Sequence, residues 1–155
     1  MGLDMYLVKK TYVKNWDHHL PENRFNVTVT KGGETHKHIN PDRVNYVIED
    51  VGYWRKANQI HNWFVHNVQG GQDDCREYYV DREDLEALLE ACYQVKDNPE
   101  SAPDVLPVSD GFFFGDSKYD EWYMNQIQDT INIIEPLLKE LDEDSSADIF
   151  YQSSW

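Results

Sequence analysis

Apolar and polar positions alternate in short stretches near the amino end and shift to a helical spacing further along, which predicts strands first and helices after them. Met1–Val8 opens as an apolar, strand-like run that continues to Val13 and reads as a central or near-central strand. Asn15–Asn23 is polar, carries Pro21, and reads as a loop. Phe25, Val27 and Val29 share one face of a half-buried strand over residues 25–30. Gly32-Gly33 then suits a tight hairpin turn with positive φ, and Thr35–Ile39 is the expected return strand. Residues 41–51 fit two readings. After Asn40-Pro41-Asp42, the residues Val44, Val47, Ile48 and Val51 form a helical stripe, while Val44, Tyr46 and Ile48 alternate; the β-branched content favours a strand.

Tyr53–Val68 is the first predicted helix, with Trp54, Ala57, His61, Phe64, Val65 and Val68 on one side and Gln69-Gly70-Gly71 as its end. Arg76–Val80 is a short strand. Asp81 caps a second helix whose Leu85, Leu88, Leu89, Cys92 and Val95 face inward. Three prolines make residues 97–110 a connector. Ser117 and Asp120 open a third helix, buried through Tyr119, Tyr123, Ile127, Ile131, Ile134, Leu138 and Leu141, and Pro136 should kink it. After an acidic break, Ile149-Phe150-Tyr151 is expected as a last strand at a sheet edge. The expected architecture is α+β, one domain over residues 1–155, with a small, mainly antiparallel sheet packed against about three helices.

Charge changes the picture more than composition does. The net charge is −15, yet residues 1–56 carry nine Lys/Arg against seven Asp/Glu, and residues 57–155 five against 22. Such a chain repels duplex nucleic acid over most of its surface and associates readily with a basic protein surface; the same acidity also serves plain solubility. Aromatic residues make up 14% of the chain, more than a small core needs, so a recognition surface is expected. Cys75 and Cys92 show no CxxC spacing, no apolar run reaches the roughly 18 residues of a membrane span, and the first residues lack signal-peptide character. These features predict a cytoplasmic protein without a membrane segment.

Candidate chemistry concentrates in Tyr53–Val65, which brings together Trp54, Arg55, Lys56, Asn58 and His61. On a helix, Asn58 and His61 fall on adjoining turns with Trp54 and Arg55 one turn earlier. A His held by an Asn can act as general base or donor, and Arg55 can bind a planar anion. The plainer reading makes His61 a hydrogen-bonded core residue. Gly111–Gly115 with Tyr119, Asp120 and Tyr123 either lines a pocket or caps the core. It has no lysine and no phosphate-loop spacing. His36 and His38, two apart on a predicted strand, lack a third ligand, so no metal and no cofactor is expected. Asp73-Asp74 beside Cys75 disfavours its thiolate.

The motifs Met1-Gly2-Leu3-Asp4-Met5-Tyr6-Leu7, Tyr53–Val65, Gly111–Gly115 and Tyr119-Asp120-Glu121-Trp122-Tyr123, in this order, resemble a family of small bacteriophage and prophage proteins without an established activity. The resemblance implies a viral or mobile-element context and a host-cell cytoplasm, and it carries over no catalytic residue. Two functions are compatible with the residues. One is an acidic phage-type accessory protein that binds a host or viral macromolecule, for instance inhibiting a basic nucleic-acid-binding defence protein. The other is a small enzyme or sensor for a nucleotide-like anionic ligand, using the 53–67 helix with Trp54, Arg55, Lys56, Asn58, His61, Tyr119, Asp120 and Tyr123.

Overall fold

The computed structural model describes residues 2–110 and 118–155. β1 (Asp4–Tyr12) buries Met5 and Leu7 on one face and turns Tyr6, Val8 and Lys10 to the other, as period-two alternation requires. β2 (Thr30–Lys31) and β3 (Glu34–Thr35) form a separate two-residue hairpin around Gly32 and Gly33, whose φ values of 62° and 82° only glycine adopts freely. β4 (Tyr46–Arg55) is followed by α1 (Asn58–Asn67), β5 (Tyr78–Val80), α2 (Arg82–Asp97), the four-residue α3 (Ala102–Val105), α4 (Glu121–Glu143) and β6 (Ala147–Ser154).

The fold is α+β. Four antiparallel strands lie in the order β4-β1-β6-β5, and the helices pack on one face of that sheet. The core joins Leu3, Met5, Leu7, Trp54, Ile149 and Tyr151 from the sheet to Ile60 and Phe64 of α1, Leu85, Leu88, Cys92 and Val95 of α2, and Ile127, Ile131 and Ile134 of α4. Burial pushes the Cys92 thiol up to about 12, so it is an inert packing group. Gly52 sits where α4 crosses β4. A Cβ there would lie 2.7 Å from Ile133 Cγ2 and 3.2 Å from Leu7 Cβ, so only glycine allows this approach.

Several expectations need correction. The first predicted helix began too early: Tyr53, Trp54 and Arg55 complete β4, opposite Tyr6, Met5 and Asp4. Lys56, at φ 55°, then turns the chain into α1 while its N–H donates to Leu3 O at 2.8 Å. Residues 41–51 resolve into a 3-10 turn at Pro41–Arg43 and the first half of β4. Phe25–Val29 forms no strand, and His36 and His38 lie in a turn, because the hairpin ladder stops at Thr30 and Thr35. β6 is not an edge strand. It lies between β1 and β5, where Ile149 and Tyr151 gain burial on the helix side. Asp81 precedes α2 without a side-chain cap, whereas Asp120 does cap α4, accepting from Tyr123 N at 3.1 Å. α4 runs unbroken through Pro136; the carbonyl it frees belongs to exposed Asn132, within reach of water. The expectations for Gly111–Gly115 and Ser117 fall outside the described residues.

Candidate functional site

His61 projects from α1 into the core and is 2% exposed. Its Nδ1 lies 2.7 Å from the Tyr151 hydroxyl and its Nε2 2.9 Å from Asp73 Oδ1. A carboxylate only accepts, so Nε2 carries the hydrogen and donates to Asp73, and Nδ1 accepts from Tyr151. Burial holds the Tyr151 phenol well above its ordinary value, which keeps that hydroxyl a donor. Burial also lowers the His61 pKa, against the opposing pull of the Asp73 hydrogen bond and charge. The row Tyr151–His61–Asp73 has the connectivity of a proton relay, but Tyr151 is fully buried against Phe64, whose ring stacks on it at 3.9 Å. The hydroxyl is shielded from solvent, and its bond to the imidazole ties α1 to β6.

The other predicted site residues disperse. Trp54 is buried, and its indole N–H donates to Thr130 Oγ1 at 2.9 Å. Asn58 Oδ1 accepts from Ser109 N at 3.0 Å, and Tyr123 donates to Leu106 O at 2.7 Å. Arg55 points out from the opposite face of β4 toward Asp4, 3.9 Å away, and so does not join His61. Lys56 occupies the strand-to-helix turn, with its stem beside Gly2. Tyr119 is exposed, packs on the Tyr123 ring and accepts from Val108 N. Cation, amide and imidazole therefore do not converge on one cleft. An open groove of about 210 Å3 does run along α1 between Asn62, Trp63 and His66 and the segment Val105–Pro107, but none of its lining residues is Lys or Arg. An anionic ligand there would find no permanent cation. Among the described residues, no cluster of three or more His, Cys, Asp or Glu is placed to hold a metal.

Two surfaces away from these residues stand out. The first is the helix layer. α2 carries Glu83, Asp84, Glu86, Glu90 and Asp97 against Arg82 and Lys96, and α4 carries Glu121, Asp129, Glu135, Glu140, Asp142 and Glu143 against Lys139. Glu100, just before α3, and Asp104, within it, add to these. The four-stranded sheet, by contrast, is nearly neutral, with Lys9, Lys10 and Arg55 against Asp4, Glu49, Asp50 and Asp148. The carboxylates concentrated after residue 57 thus gather on the helical side of the molecule.

The second is the sheet face opposite the helices. Tyr6 pairs with Tyr53, Tyr12 with Tyr46, and Tyr79 with Phe150, with ring centroids 5.2–5.8 Å apart. Ile48 is 59% exposed, and Tyr46, Tyr53 and Tyr79 are each at least half exposed. Lys10 lies among them, 4.5 Å from the Phe150 ring centre and ion-paired with Glu77. In the sequence this face is signalled by the surplus of rings and by the alternation of Tyr46 and Ile48.

No family model, curated protein or solved structure matches the chain. No helix among the described residues is long and apolar enough to cross a membrane.

Proposed function

We propose that the protein is an acidic accessory protein that works by binding a basic host or viral macromolecule, in the phage context and host cytoplasm that the sequence resemblance implies. The observation that carries this reading is the segregation of charge by layer, with carboxylates dominating α2 and α4 while the sheet stays nearly neutral. A field of this kind steers a cationic partner and gives its association a steep salt dependence. Competition for the phosphate-binding surface of a nucleic-acid-binding protein, a defence nuclease for example, is the concrete form the charge favours. The enzyme or sensor reading has less support, because Trp54, Asn58 and His61 are buried and engaged internally while Arg55 faces away.

The test compares the native protein with a variant carrying Glu83→Gln, Glu90→Gln, Glu121→Gln and Asp129→Asn, all exposed helix positions. The native protein should capture basic proteins from bacterial lysate saturably and release them at moderate salt, and the neutralised variant should bind them at least tenfold more weakly. Equal capture by both proteins, or capture indifferent to salt, sinks the proposal.

A further inference from the structure

β4 is an edge strand of unusual openness. Residues Tyr46–Asp50 are exposed on both faces of the sheet, and on the outer side no strand of the described residues follows. The hydrogen-bonding phase of this edge follows from one contact. Val13 N donates to Asn45 O at 2.9 Å, so Asn45 faces β1, and alternation makes Val47 and Glu49 do the same. Tyr46, Ile48 and Asp50 therefore turn their backbone N–H and C=O groups away from β1. Among the described residues nothing hydrogen-bonds to these groups. Their side chains stand on the open, aromatic sheet face.

We propose that this edge accepts an extended, cation-bearing peptide segment as an added strand. Unpaired N–H and C=O groups of alternate residues are the template on which β-augmentation works, with side-chain alternation supplying specificity. Charge selects the occupant. Asp50 stands beside Ile48 and Tyr46 on the same face and has no ion pair among the described residues, while neighbouring Glu49 is only 3.6 Å from Lys9. A second copy of this chain, with net charge −15, would bring the same carboxylates against them. A strand with apolar residues opposite Tyr46 and Ile48 and a Lys or Arg two positions on, opposite Asp50, meets every group on the edge. The choice of a basic partner rests on the function proposed above; the edge geometry does not.

The probe is a capped peptide Lys-Thr-Val-Thr-Val-Thr-Lys, whose two cations share a face with both valines and so serve either strand direction, compared with the same peptide carrying Glu for Lys. Hydrogen exchange followed by NMR on the whole protein should show the amides of Tyr46, Ile48 and Asp50 slowed about tenfold at millimolar lysine peptide, with those of Val47 and Glu49 unchanged. Ile48→Pro should abolish the effect, because its lost N–H faces outward, where proline is tolerated. Should that variant unfold, Ile48→Lys provides the same loss by repelling the probe. Unaltered amides with the lysine peptide, or equal slowing by the glutamate peptide, overturn the inference. Protection in peptide-free protein that grows with concentration assigns the edge to a second copy and overturns it too. The helix-neutralised variant reads out separately: if its binding of basic proteins is unchanged, the proposed function fails whatever the β4 amides show.

Discussion

Tyr151 and His61, 90 positions apart in the chain, share a 2.7 Å hydrogen bond inside the core, and Asp73 completes the row from the solvent side. The imidazole is neutral in this setting because its burial disfavours the charged form. In the unfolded chain it regains the ordinary histidine value of about 6.5. Between the two values the unfolded state binds a proton that the folded state does not, so the stabilising effect is complete above about pH 6.5 and is lost as the pH falls toward the lowered folded value.

Replacing the imidazole tests this directly. Native protein should show a falling melting temperature as pH drops below about 6.5, and His61→Gln, which has no titrating group, should lack that part of the slope. The variant is expected to be less stable at pH 7.5 but closer to native at pH 5.5. Parallel curves across this range would show that His61 protonation is not linked to folding.

Trp54 and Thr130 make a second buried contact whose value can be measured with a near-isosteric change. Thr130 is fully buried, accepts from the indole at 2.9 Å and donates to Gln126 O at 2.7 Å. Thr130→Val keeps the volume and leaves the indole N–H without an acceptor, at a cost of about 1–3 kcal/mol in urea unfolding. A variant as stable as the native protein would mean that Trp54 finds another acceptor.

The close crossing at Gly52 predicts a steep response to the smallest possible addition. Gly52→Ala should cost about 1–3 kcal/mol despite the alanine's better strand entropy, because its methyl group meets Ile133 and Leu7. Gly52→Ala combined with Ile133→Val should recover part of the loss. Independent, additive effects would disprove the steric coupling.

Lys9 points into the helix-covered side of the sheet, where Glu140 Oε1 is 2.7 Å and Glu49 3.6 Å from its ammonium. The Glu140 hydrogen bond holds its pKa above the ordinary lysine value. Removing the charge should be cheaper than leaving it with only the longer contact to Glu49, so Lys9→Met is expected to unfold at nearly native urea concentration and Glu140→Leu at a clearly lower one. The reverse order would show that the ion pair itself stabilises this end of the sheet.

Elements that bury one clear face were legible in the sequence. α2 and most of α4 follow their apolar stripes, and β1 follows its alternation. Where pairing decides, local pattern misleads. Trp54 satisfies a helical stripe and a strand face equally, and only its position opposite Met5 in the β1–β4 ladder settles the matter. Phe25, Val27 and Val29 alternate well, but among the described residues no strand pairs with them: the β2–β3 ladder closes with Val29 O accepting from His36 N at 2.9 Å, and alternation without a ladder is not a strand. The same non-locality hid the partners of His61. Asp73 lies beyond the glycine turn and Tyr151 on the final strand, and no spacing rule joins them. The open aromatic face showed in the sequence as a surplus of rings and the alternation of Tyr46 and Ile48, but a sequence cannot say on which side of a sheet the helices fall.

The placement of β6 sets the order in which this molecule can be made. Its middle strand pair joins Asp4 to Ser154 and Thr11 to Ala147, so β1 waits for residues synthesised long after it. Until then β1 has only β4 beside it, and β5 has nothing to join. Assembly of the sheet is therefore dominated by long-range closure, slow for its size, with apolar strand surface held open until β6 has been made.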